Sequence, residues 1–287
     1  MYINFIQQIF KPKNSSNIML SLKEAWNQLK IDKTVKNIRA LKIQGASNIA
    51  KAALDAYHLR PSEETKMELI RARPTEPMLV NALANCDILG YEKTISHFQE
   101  AQEKISKFAF DLIKDNSIIF THCHSTNVVR ALIFAKQQGK TFQVYNTETR
   151  PLLQGRLTAQ ELARAGIQVT EFVDSAAKQA ILKSDIVLFG ADAILNEGII
   201  NKIGAGMFAE IAFDFKKKVY ILADSWKYTK DIKLEERDFK EVWESAPEKI
   251  KVENPAFEPV SKKYIKAIVS ELGVLPLDKF VKLVEKH

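Results

Sequence analysis

The chain of 287 residues has only two cysteines, Cys86 and Cys123, so a disulfide framework is excluded and we expect a reducing, cytoplasmic environment. Its longest apolar runs, such as Ile118–Phe120 and Ile186–Phe189, fall far short of the roughly 20 residues of a membrane-spanning helix. The apolar stretch in residues 1–13 is too short and too interrupted for a secretory signal. With 10 glycines and 9 prolines, no linker or disorder-prone tract is evident. These absences indicate a globular protein with a sizeable core.

The charge balance leaves two classes of partner open. There are 42 Lys and Arg against 35 Asp and Glu, a formal net charge of +7. A basic protein of this size can bind nucleic acid or a small anion. The basic residues are spread along the chain, however, without a run of five and without the interleaved aromatic residues of a single-strand platform. We therefore expect a small phosphorylated ligand rather than a nucleic acid.

The spacing of apolar residues changes once along the chain, near residue 115. Before that point they recur at three and four positions, as on a helix face, for example at Leu22, Trp26 and Leu29. After it, strands and helices alternate, as in a parallel sheet with helices on both faces. The predicted strands are Ser117–Thr121, Phe142–Asn146, Val169–Val173, Ile186–Phe189 and Val219–Leu222, and the predicted helices between them are Thr126–Gln138, Ala159–Ala165, Ala176–Lys183 and Met207–Phe215. The predicted fold is α/β, with a helical amino-terminal domain (1–110) and a Rossmann-like, doubly wound parallel-sheet domain (111–287). The charged segment 230–240 is interpreted as a solvated loop or irregular helix.

A thiol and a carboxylate follow two of these strands. Cys123 lies in the segment Thr121–Ser125, and Asp192 comes shortly after Ile186–Phe189. The carboxyl ends of parallel strands face one crevice, which is where open α/β sheets hold ligands. We expect a helix end and nearby cations to lower the pKa of the thiol, and a dry pocket to raise the pKa of the carboxyl group. Such a pair suits base and acid roles, respectively.

Simpler interpretations of these residues stay open. A cysteine in a buried strand is usually an inert small hydrophobe, and Asp192 can cap a turn. Asp174 is placed to cap the helix that follows it. His122 and His124 flank the thiol and invite a metal interpretation, but successive strand side chains point to opposite faces and no second Cys/His cluster completes a site. We expect no metal, and the histidines can be structural.

The glycine-containing segment Asn201–Gly206 precedes a predicted helix and carries Lys202. Backbone amides ahead of a helix, beside a cation, can hold a phosphate. The segment is not a Walker A loop, because the spacing GxxxxGK[ST] is absent. Residues 204–209 match the dinucleotide pattern GxGxxA, with Asp224 twenty residues after Gly204, but polar residues stand where that fingerprint needs a buried strand end, so NAD is not expected. Further cations at predicted turns are Arg73, Arg150 and Lys227.

Several motifs occur together in one order along the chain. They are Ile43–Ala46, Arg73–Thr75, Thr121–Cys123, Thr147–Pro151 with Gln154–Gly155, Val173–Ala177, Gly190–Asp192 and Asn201–Gly204. As an ordered set they resemble the initiation factor 2B alpha/beta/delta-like family, which also contains methylthioribose-1-phosphate isomerase and archaeal ribose 1,5-bisphosphate isomerase. The resemblance runs from about residue 20 to 275 and includes Asn254–Phe257 and Glu271–Val274. The chain length and tail look most like the archaeal ribose 1,5-bisphosphate branch.

The resemblance implies an aldose–ketose isomerase that converts ribose 1,5-bisphosphate into ribulose 1,5-bisphosphate without a cofactor. Isomerases of the family carry the cysteine and aspartate found here as Cys123 and Asp192, whereas translation-factor subunits generally replace one or both. The implied roles are Cys123 as base and Asp192 as general acid. The residues implied to contact substrate are Gln44, Gly45, Ala46, Ser47, Arg73, Ser125, Thr126, Asn127, Gln154, Asn201, Lys202 and Lys227. The family also implies a homo-oligomer, either a dimer or a hexamer built from dimers.

Two departures from the family pattern bear on this expectation. Gln44 stands where the family usually has an arginine, and Ala205–Gly206 follows the Asn-Lys-Ile-Gly motif. The first removes a cation from one phosphate contact. The alternatives are a methylthioribose-1-phosphate isomerase and a non-catalytic regulatory subunit that binds initiation factor 2 or senses a sugar phosphate or nucleotide. A direct hydride shift, with Cys123 only shaping the pocket, also stays open.

Overall fold

The computed structural model describes residues 15–234 and 236–286; the amino-terminal stretch tested above for a secretory signal lies outside the described residues. The described chain begins with helices α1 (Ser15–Arg39), α2 (Ala46–Leu59), α3 (Glu63–Ala72), α4 (Pro77–Leu89) and α5 (Tyr91–Phe110). Local chemistry sets these ends: the Ser62 hydroxyl accepts a hydrogen bond from the backbone N–H of Thr65 at the start of α3, and Pro77 opens α4 where its missing N–H costs nothing. No described helix combines the length and the apolar character needed to cross a bilayer.

The remainder alternates strands and helices, as predicted. The elements are β1 (Ser117–His122), α6 (Thr126–Gln137), β2 (Phe142–Thr147), α7 (Gln154–Arg164), β3 (Gln168–Phe172), α8 (Ala177–Lys183), β4 (Ile186–Phe189), β5 (Ala193–Leu195), β6 (Gly198–Lys202), α9 (Ala205–Asp214), β7 (Lys218–Leu222), α10 (Lys240–Trp243), β8 (Phe257–Ser261), β9 (Ala267–Ser270), β10 (Gly273–Leu275) and α11 (Leu277–Val284). The α/β class with a helical amino-terminal region is therefore confirmed. The boundary near residue 110 stays a prediction, because α5 contributes Phe98 to the helical core and Ile105 and Ala109 to the core under the sheet.

A seven-stranded sheet in the order β10-β9-β7-β4-β1-β2-β3 forms the centre of this part, and its strands are parallel except for the antiparallel edge strand β10. The chain builds outward from β1 through β2 to β3, then returns to the other side of β1 to form β4. The strand order thus reverses between β1 and β4. The loops that follow these two strands separate there and leave a crevice at the carboxyl ends of the strands.

A second, three-stranded antiparallel sheet in the order β5-β6-β8 was not predicted. Asn201 and Lys202 end its central strand β6, where both are buried. Because β6 and β7 belong to different sheets, the glycines at 204 and 206 do not sit in a parallel βαβ unit, which the dinucleotide fingerprint requires. The structure thus gives a stronger reason than the sequence did for setting NAD aside.

Two helices begin earlier than predicted. The helix expected from Ala159 begins at Gln154, and the helix expected from Met207 begins at Ala205. Both early turns contain glycine, which disfavours helix by propensity alone. Tertiary contact requires the first glycine, since a Cβ on Gly155 would lie 1.8 Å from the Thr147 carbonyl oxygen. Elsewhere the apolar spacing at Leu22, Trp26 and Leu29 does mark a helix, but these side chains are exposed rather than packed.

Candidate active site

A cavity of about 350 Å³ occupies the crevice between the sheet and the helical region. Every residue that the sequence analysis assigned to catalysis or to substrate contact lines it. Arg150 does not: it is exposed, and its guanidinium donates to the Val242 carbonyl at 3.3 Å. The structure therefore brings the proposed residues together, from both the helical and the α/β parts of the chain, while their individual roles stay proposals.

Three helix amino termini meet at this cavity. They are those of α2 after Gly45, α6 after Ser125 and α7 after Leu153, and no side chain caps any of them. Residues from the first turn of each helix line the cavity: Ser47, Thr126 and Gln154. Free amide groups at a helix amino terminus, together with the helix dipole, favour a bound anion. Three such ends around one cavity point to a multiply charged anionic ligand.

Two buried lysines add positive charge to the cavity wall. Lys202 is 6% exposed and Lys227 is 9% exposed. The Lys227 ammonium donates to the Ala191 carbonyl at 2.5 Å, and the Lys202 ammonium lies 6.0 Å from the ring centroid of Phe257. Neither makes an ion pair with a carboxylate of the described residues. A buried cation without a counter-charge is costly, and an anionic ligand would supply that counter-charge.

Cys123 is held in an uncommon backbone conformation directly after β1. Its φ is 65°, in the left-handed region that non-glycine residues rarely occupy. Two hydrogen bonds fix it there: the Cys123 N–H donates to Thr149 Oγ1 at 3.0 Å, and the Thr158 hydroxyl donates to the Cys123 carbonyl at 2.9 Å. Strained residues held by their surroundings in this way cluster at functional sites.

The expected lowering of the Cys123 pKa is wrong. Burial raises the pKa of the thiol to about 12, and Asp192 and Asp174 add to the increase. The His124 backbone N–H and the Lys202 charge oppose it but do not outweigh burial. The thiol is therefore protonated at neutral pH. Sequence reasoning identified the cations and the helix end correctly but had no measure of how deeply the sulfur is buried.

Asp192 reaches the cavity because the loops after β1 and β4 pack tightly against each other. A Cβ on Gly190 would lie 2.4 Å from Ser125 Oγ, so only glycine allows this approach. The Asp192 N–H donates to the Ile200 carbonyl of β6 at 2.8 Å, which fixes the backbone of the half-buried carboxylate. The two loops thus bring the acid and the thiol to the same cavity, as expected for strands whose carboxyl ends face one crevice.

The two histidines beside Cys123 have different environments. His122 is buried; its Nε2 donates to the Ile203 carbonyl at 2.9 Å, so its Nδ1 accepts from the Thr147 hydroxyl at 2.6 Å. Burial lowers the pKa of His122 to about 4, so this ring is neutral and ties β1 to the loop before α9. Both histidines line the cavity, but His124 is only half-buried, and burial lowers its pKa as well. The structural interpretation fits His122 only.

A polar cluster away from the thiol positions Lys227. His97 stacks on Trp226 with ring centroids 3.7 Å apart, and its Nε2 lies 3.1 Å from both Asp224 carboxylate oxygens. Asp224 also accepts from the Trp226 N–H at 2.9 Å. Glu271 lies close enough that, within the described part of the chain, these three side chains form a group of possible metal ligands. In the structure, the hydrogen bonds of this cluster hold the turn that places Lys227 at the cavity.

One further prediction from sequence needs correction, and another is incomplete. Asp174 does not cap α8; its carboxylate accepts from the backbone N–H groups of Thr149 at 2.9 Å and Arg150 at 2.7 Å, because that loop folds back over the end of β3. The described residues of the segment 230–240 form a mostly exposed loop, as predicted, but Arg237 within it lines the cavity and donates to Glu241 at 3.1 Å. Other lining residues that sequence reasoning missed are His124, Glu161 and Phe257. Arg237 carried no local signal, whereas His124 lay in the strongest motif of the chain.

Comparison with known proteins shows the family and the fold to which the chain is similar. A model of the Initiation factor 2 subunit family matches residues 14–277. The chain is 35% identical, over 292 residues, to ribose 1,5-bisphosphate isomerase of Methanocaldococcus jannaschii, with 90% of this chain and 95% of that protein covered. It is 32% identical to methylthioribose-1-phosphate isomerase of Dehalococcoides mccartyi, with 90% and 93% covered. Among solved structures, translation initiation factor eIF-2B of Pyrococcus horikoshii OT3 superposes with a TM-score of 0.77 at 25% identity, covering 86% of this chain and 96% of that one.

Proposed function

The chain belongs to the Initiation factor 2 subunit family, and we propose that it is the aldose–ketose isomerase that converts ribose 1,5-bisphosphate into ribulose 1,5-bisphosphate. Its curated relatives make it an enzyme of the sugar-phosphate isomerase kind. The observation that carries the proposal is the convergence, on one cavity at the β1/β4 crevice, of Cys123, Asp192 and a strongly anion-attracting wall.

The number of anion-binding elements favours a bisphosphate. Three uncapped helix amino termini and the cations Arg73, Lys202 and Lys227 surround a cavity of about 350 Å³. One phosphate uses only part of such a set, and a methylthio group uses none of it. At the turn before α2 the family arginine is absent, and the Gln44 side chain donates to the Leu41 carbonyl at 3.1 Å rather than to a ligand. A phosphate at this turn would therefore be bound by the backbone amides at the start of α2.

The reaction moves a hydrogen from C2 to C1 of a sugar whose C1 is phosphorylated. The ring must open with the phosphate in place, so the bond between C1 and the ring oxygen O4 breaks and O4 gains a proton. We assign that proton to Asp192 as general acid. In the proton-transfer route, Cys123 takes the C2 proton as a thiolate and returns it to C1.

The raised pKa of Cys123 has a consequence for this route. A thiolate with a pKa of about 12 is a strong base but is scarce at neutral pH. Above about pH 7, where a histidine of lowered pKa is already neutral, turnover by this route therefore increases with pH, whereas a direct hydride shift, with a protonated Cys123 shaping the pocket, shows no such increase. The pH dependence of turnover distinguishes the two routes.

The proposal extends to location and assembly. The two cysteines are both free thiols, which supports a reducing cytoplasmic setting. The exposed apolar side chains of Leu22, Trp26 and Leu29 follow one another along α1, and such a stripe supports self-association as a dimer or a hexamer of dimers. Nothing in the chemistry above calls for a cofactor or for nucleic acid.

The test is to measure kcat/KM for ribose 1,5-bisphosphate and for methylthioribose 1-phosphate separately. We expect the bisphosphate to be preferred by at least about tenfold, the equivalent of one charge-assisted contact. A preference for methylthioribose 1-phosphate would assign the alternative enzyme. Absence of turnover on both, with binding of initiation factor 2, would assign the regulatory alternative, against which the retention of both Cys123 and Asp192 argues.

A further inference from the structure

His124 lines the cavity and carries an unprotonated ring nitrogen. Its Nδ1 lies 3.0 Å from the Thr158 hydroxyl oxygen, and that hydroxyl donates its only proton to the Cys123 carbonyl at 2.9 Å. The Thr158 oxygen can therefore only accept from the ring, so Nδ1 carries the proton of the neutral imidazole. The other nitrogen, Nε2, then holds a lone pair, and it makes no hydrogen bond with any residue in the described ranges.

The neighbouring histidine shows that this arrangement is particular to His124. His122 has both ring nitrogens engaged, with Ile203 and Thr147, and is 2% exposed. It therefore has no lone pair to offer to a ligand. His124 lies among the cavity-lining residues and is only half-buried. Of the two histidines that flank Cys123, His124 alone can accept a proton from a bound molecule.

The proposed isomerisation needs a proton acceptor at O2, in addition to the hydrogen transfer from C2 to C1 and the protonation of O4. When C2 becomes a carbonyl, the O2–H bond breaks and its electron pair forms the C2–O2 double bond. The hydrogen on C2 moves to C1, and the electron pair of the C1–O4 bond goes to O4, which takes the Asp192 proton. Whether the C2 hydrogen moves as a hydride or by way of Cys123, one proton leaves O2 and one arrives at O4.

We propose that His124 is the general base that removes the proton from the substrate 2-hydroxyl, through Nε2. This inference rests on the proposed function. The proton gained by His124 returns to Asp192 through solvent, so the cycle closes with no change in the number of protons or electrons. The inference holds for both hydrogen-transfer routes, because each one breaks the O2–H bond.

The electrostatic surroundings suit the role. Burial lowers the pKa of His124 by more than the charge of Glu161 raises it, so the ring is neutral near pH 7. Glu161 lies on α7 and also lines the cavity. Glu161 is thus placed to stabilise the imidazolium that forms when His124 takes a proton. The other ionisable residues that line the cavity are Arg73, Glu76, His122, Cys123, Asp192, Lys202, Lys227 and Arg237. Thr158, by fixing the tautomer, acts as a positioning residue.

The first experiment is steady-state kinetics of His124→Asn. Asparagine can keep the hydrogen bond to Thr158 but cannot act as a base. We expect kcat to fall by about 10²-fold or more with KM nearly unchanged. The wild-type fall of kcat at acid pH, where His124 becomes protonated, should disappear in the variant. His58→Gln, at an exposed histidine stacked on Tyr91 outside the cavity, serves as the matched control and should be unaffected.

The second experiment does not depend on turnover. Nitrogen NMR of histidine-labelled protein should show a protonated Nδ1 and an unprotonated Nε2 for His124, and ribose 5-phosphate should shift the Nε2 signal. Thr158→Val removes the hydroxyl that accepts from Nδ1, so His124 should show a mixture of the two neutral tautomers. Thr158→Ser keeps the hydroxyl and should show the wild-type tautomer. Full activity of His124→Asn, in a wild-type enzyme that does isomerise, would overturn this inference and leave the proposed function intact. If the wild type isomerises neither sugar, the proposed function fails. Separately, a His124 Nε2 signal that does not shift when ribose 5-phosphate is added would overturn this inference.

Discussion

Replacing Lys202 with methionine should separate stability from binding. Lys202 is 6% exposed and makes no ion pair with the described residues, so its ammonium is held in the protein without a counter-charge. Methionine fills nearly the same volume without a charge. We expect the ligand-free variant to gain about 1 kcal/mol of stability, seen as an increase of about 2–4 °C in Tm.

The same substitution should weaken binding of the bisphosphate. One charge-assisted hydrogen bond to a phosphate contributes about 1.5–3 kcal/mol, which corresponds to a roughly 10- to 150-fold increase in Kd. Calorimetric titration with ribulose 1,5-bisphosphate gives the Kd directly, and an Asp192→Asn background prevents turnover during the measurement.

The matched control is Lys51→Met. The Lys51 ammonium lies 5.3 Å from the ring centroid of Phe98, much as Lys202 lies beside Phe257, but Lys51 is exposed and does not line the cavity. We expect it to leave Kd unchanged and to lose at most about 1 kcal/mol of stability. A Lys202→Met protein that melts below the wild type and binds the bisphosphate equally well would refute the reasoning that this buried charge is kept for a ligand.

Three further predictions follow from the same geometry. Cys123→Ser should lose most turnover with binding nearly intact, since a hydroxyl is a far poorer base than a thiolate, and Asp192→Asn should do the same; near-normal turnover of the serine variant would instead assign the hydride route. Gln44→Arg should tighten bisphosphate binding by at most about 1 kcal/mol, because this position is exposed. Gly45→Val should instead impair binding severely, because Gly45 has a φ of 84°, which valine rarely adopts. Normal kinetics of Gly45→Val would show that this turn is not part of the site. Burial alone would lower the pKa of His97, but the hydrogen bond to Asp224 and the Asp224 charge raise this pKa above 6.5. The stabilising contribution of His97 is therefore complete below pH 6.5 and is lost as the pH increases through the raised pKa. The difference in unfolding free energy between wild type and His97→Asn, measured by urea denaturation, should decrease over that pH range, and a constant difference would contradict this prediction.

Much of the fold and site follows from sequence because each signal is local. The strand before Cys123 and the strand before Asp192 show as apolar runs, and parallel strands with intervening helices place their carboxyl ends together. The sheet order β10-β9-β7-β4-β1-β2-β3 then makes β1 and β4 neighbours. The resemblance supplied the residues of the helical region, such as Arg73, which no local pattern connects to the crevice.

What the sequence did not reveal depends on contacts between distant segments. In the small sheet β5-β6-β8, β6 pairs with β8, which lies more than 50 residues later in the chain. Arg237 reaches the cavity from the segment between these two strands. The pKa of Cys123 was predicted with the wrong sign because burial is a property of the whole fold. The different roles of His122 and His124 depend on partners at Ile203 and Thr158, which sequence spacing does not indicate.

The most direct test of the central claim is to follow ribose 1,5-bisphosphate labelled with carbon-13 at C2 by NMR in the presence of the wild-type protein. The account predicts that the C2 signal moves from that of an alcohol carbon to that of a ketone carbon, and that Asp192→Asn, which still binds the sugar, leaves it in place. A C2 signal that stays an alcohol carbon with the wild type would contradict the account, and so would a ketone that forms equally well with Asp192→Asn.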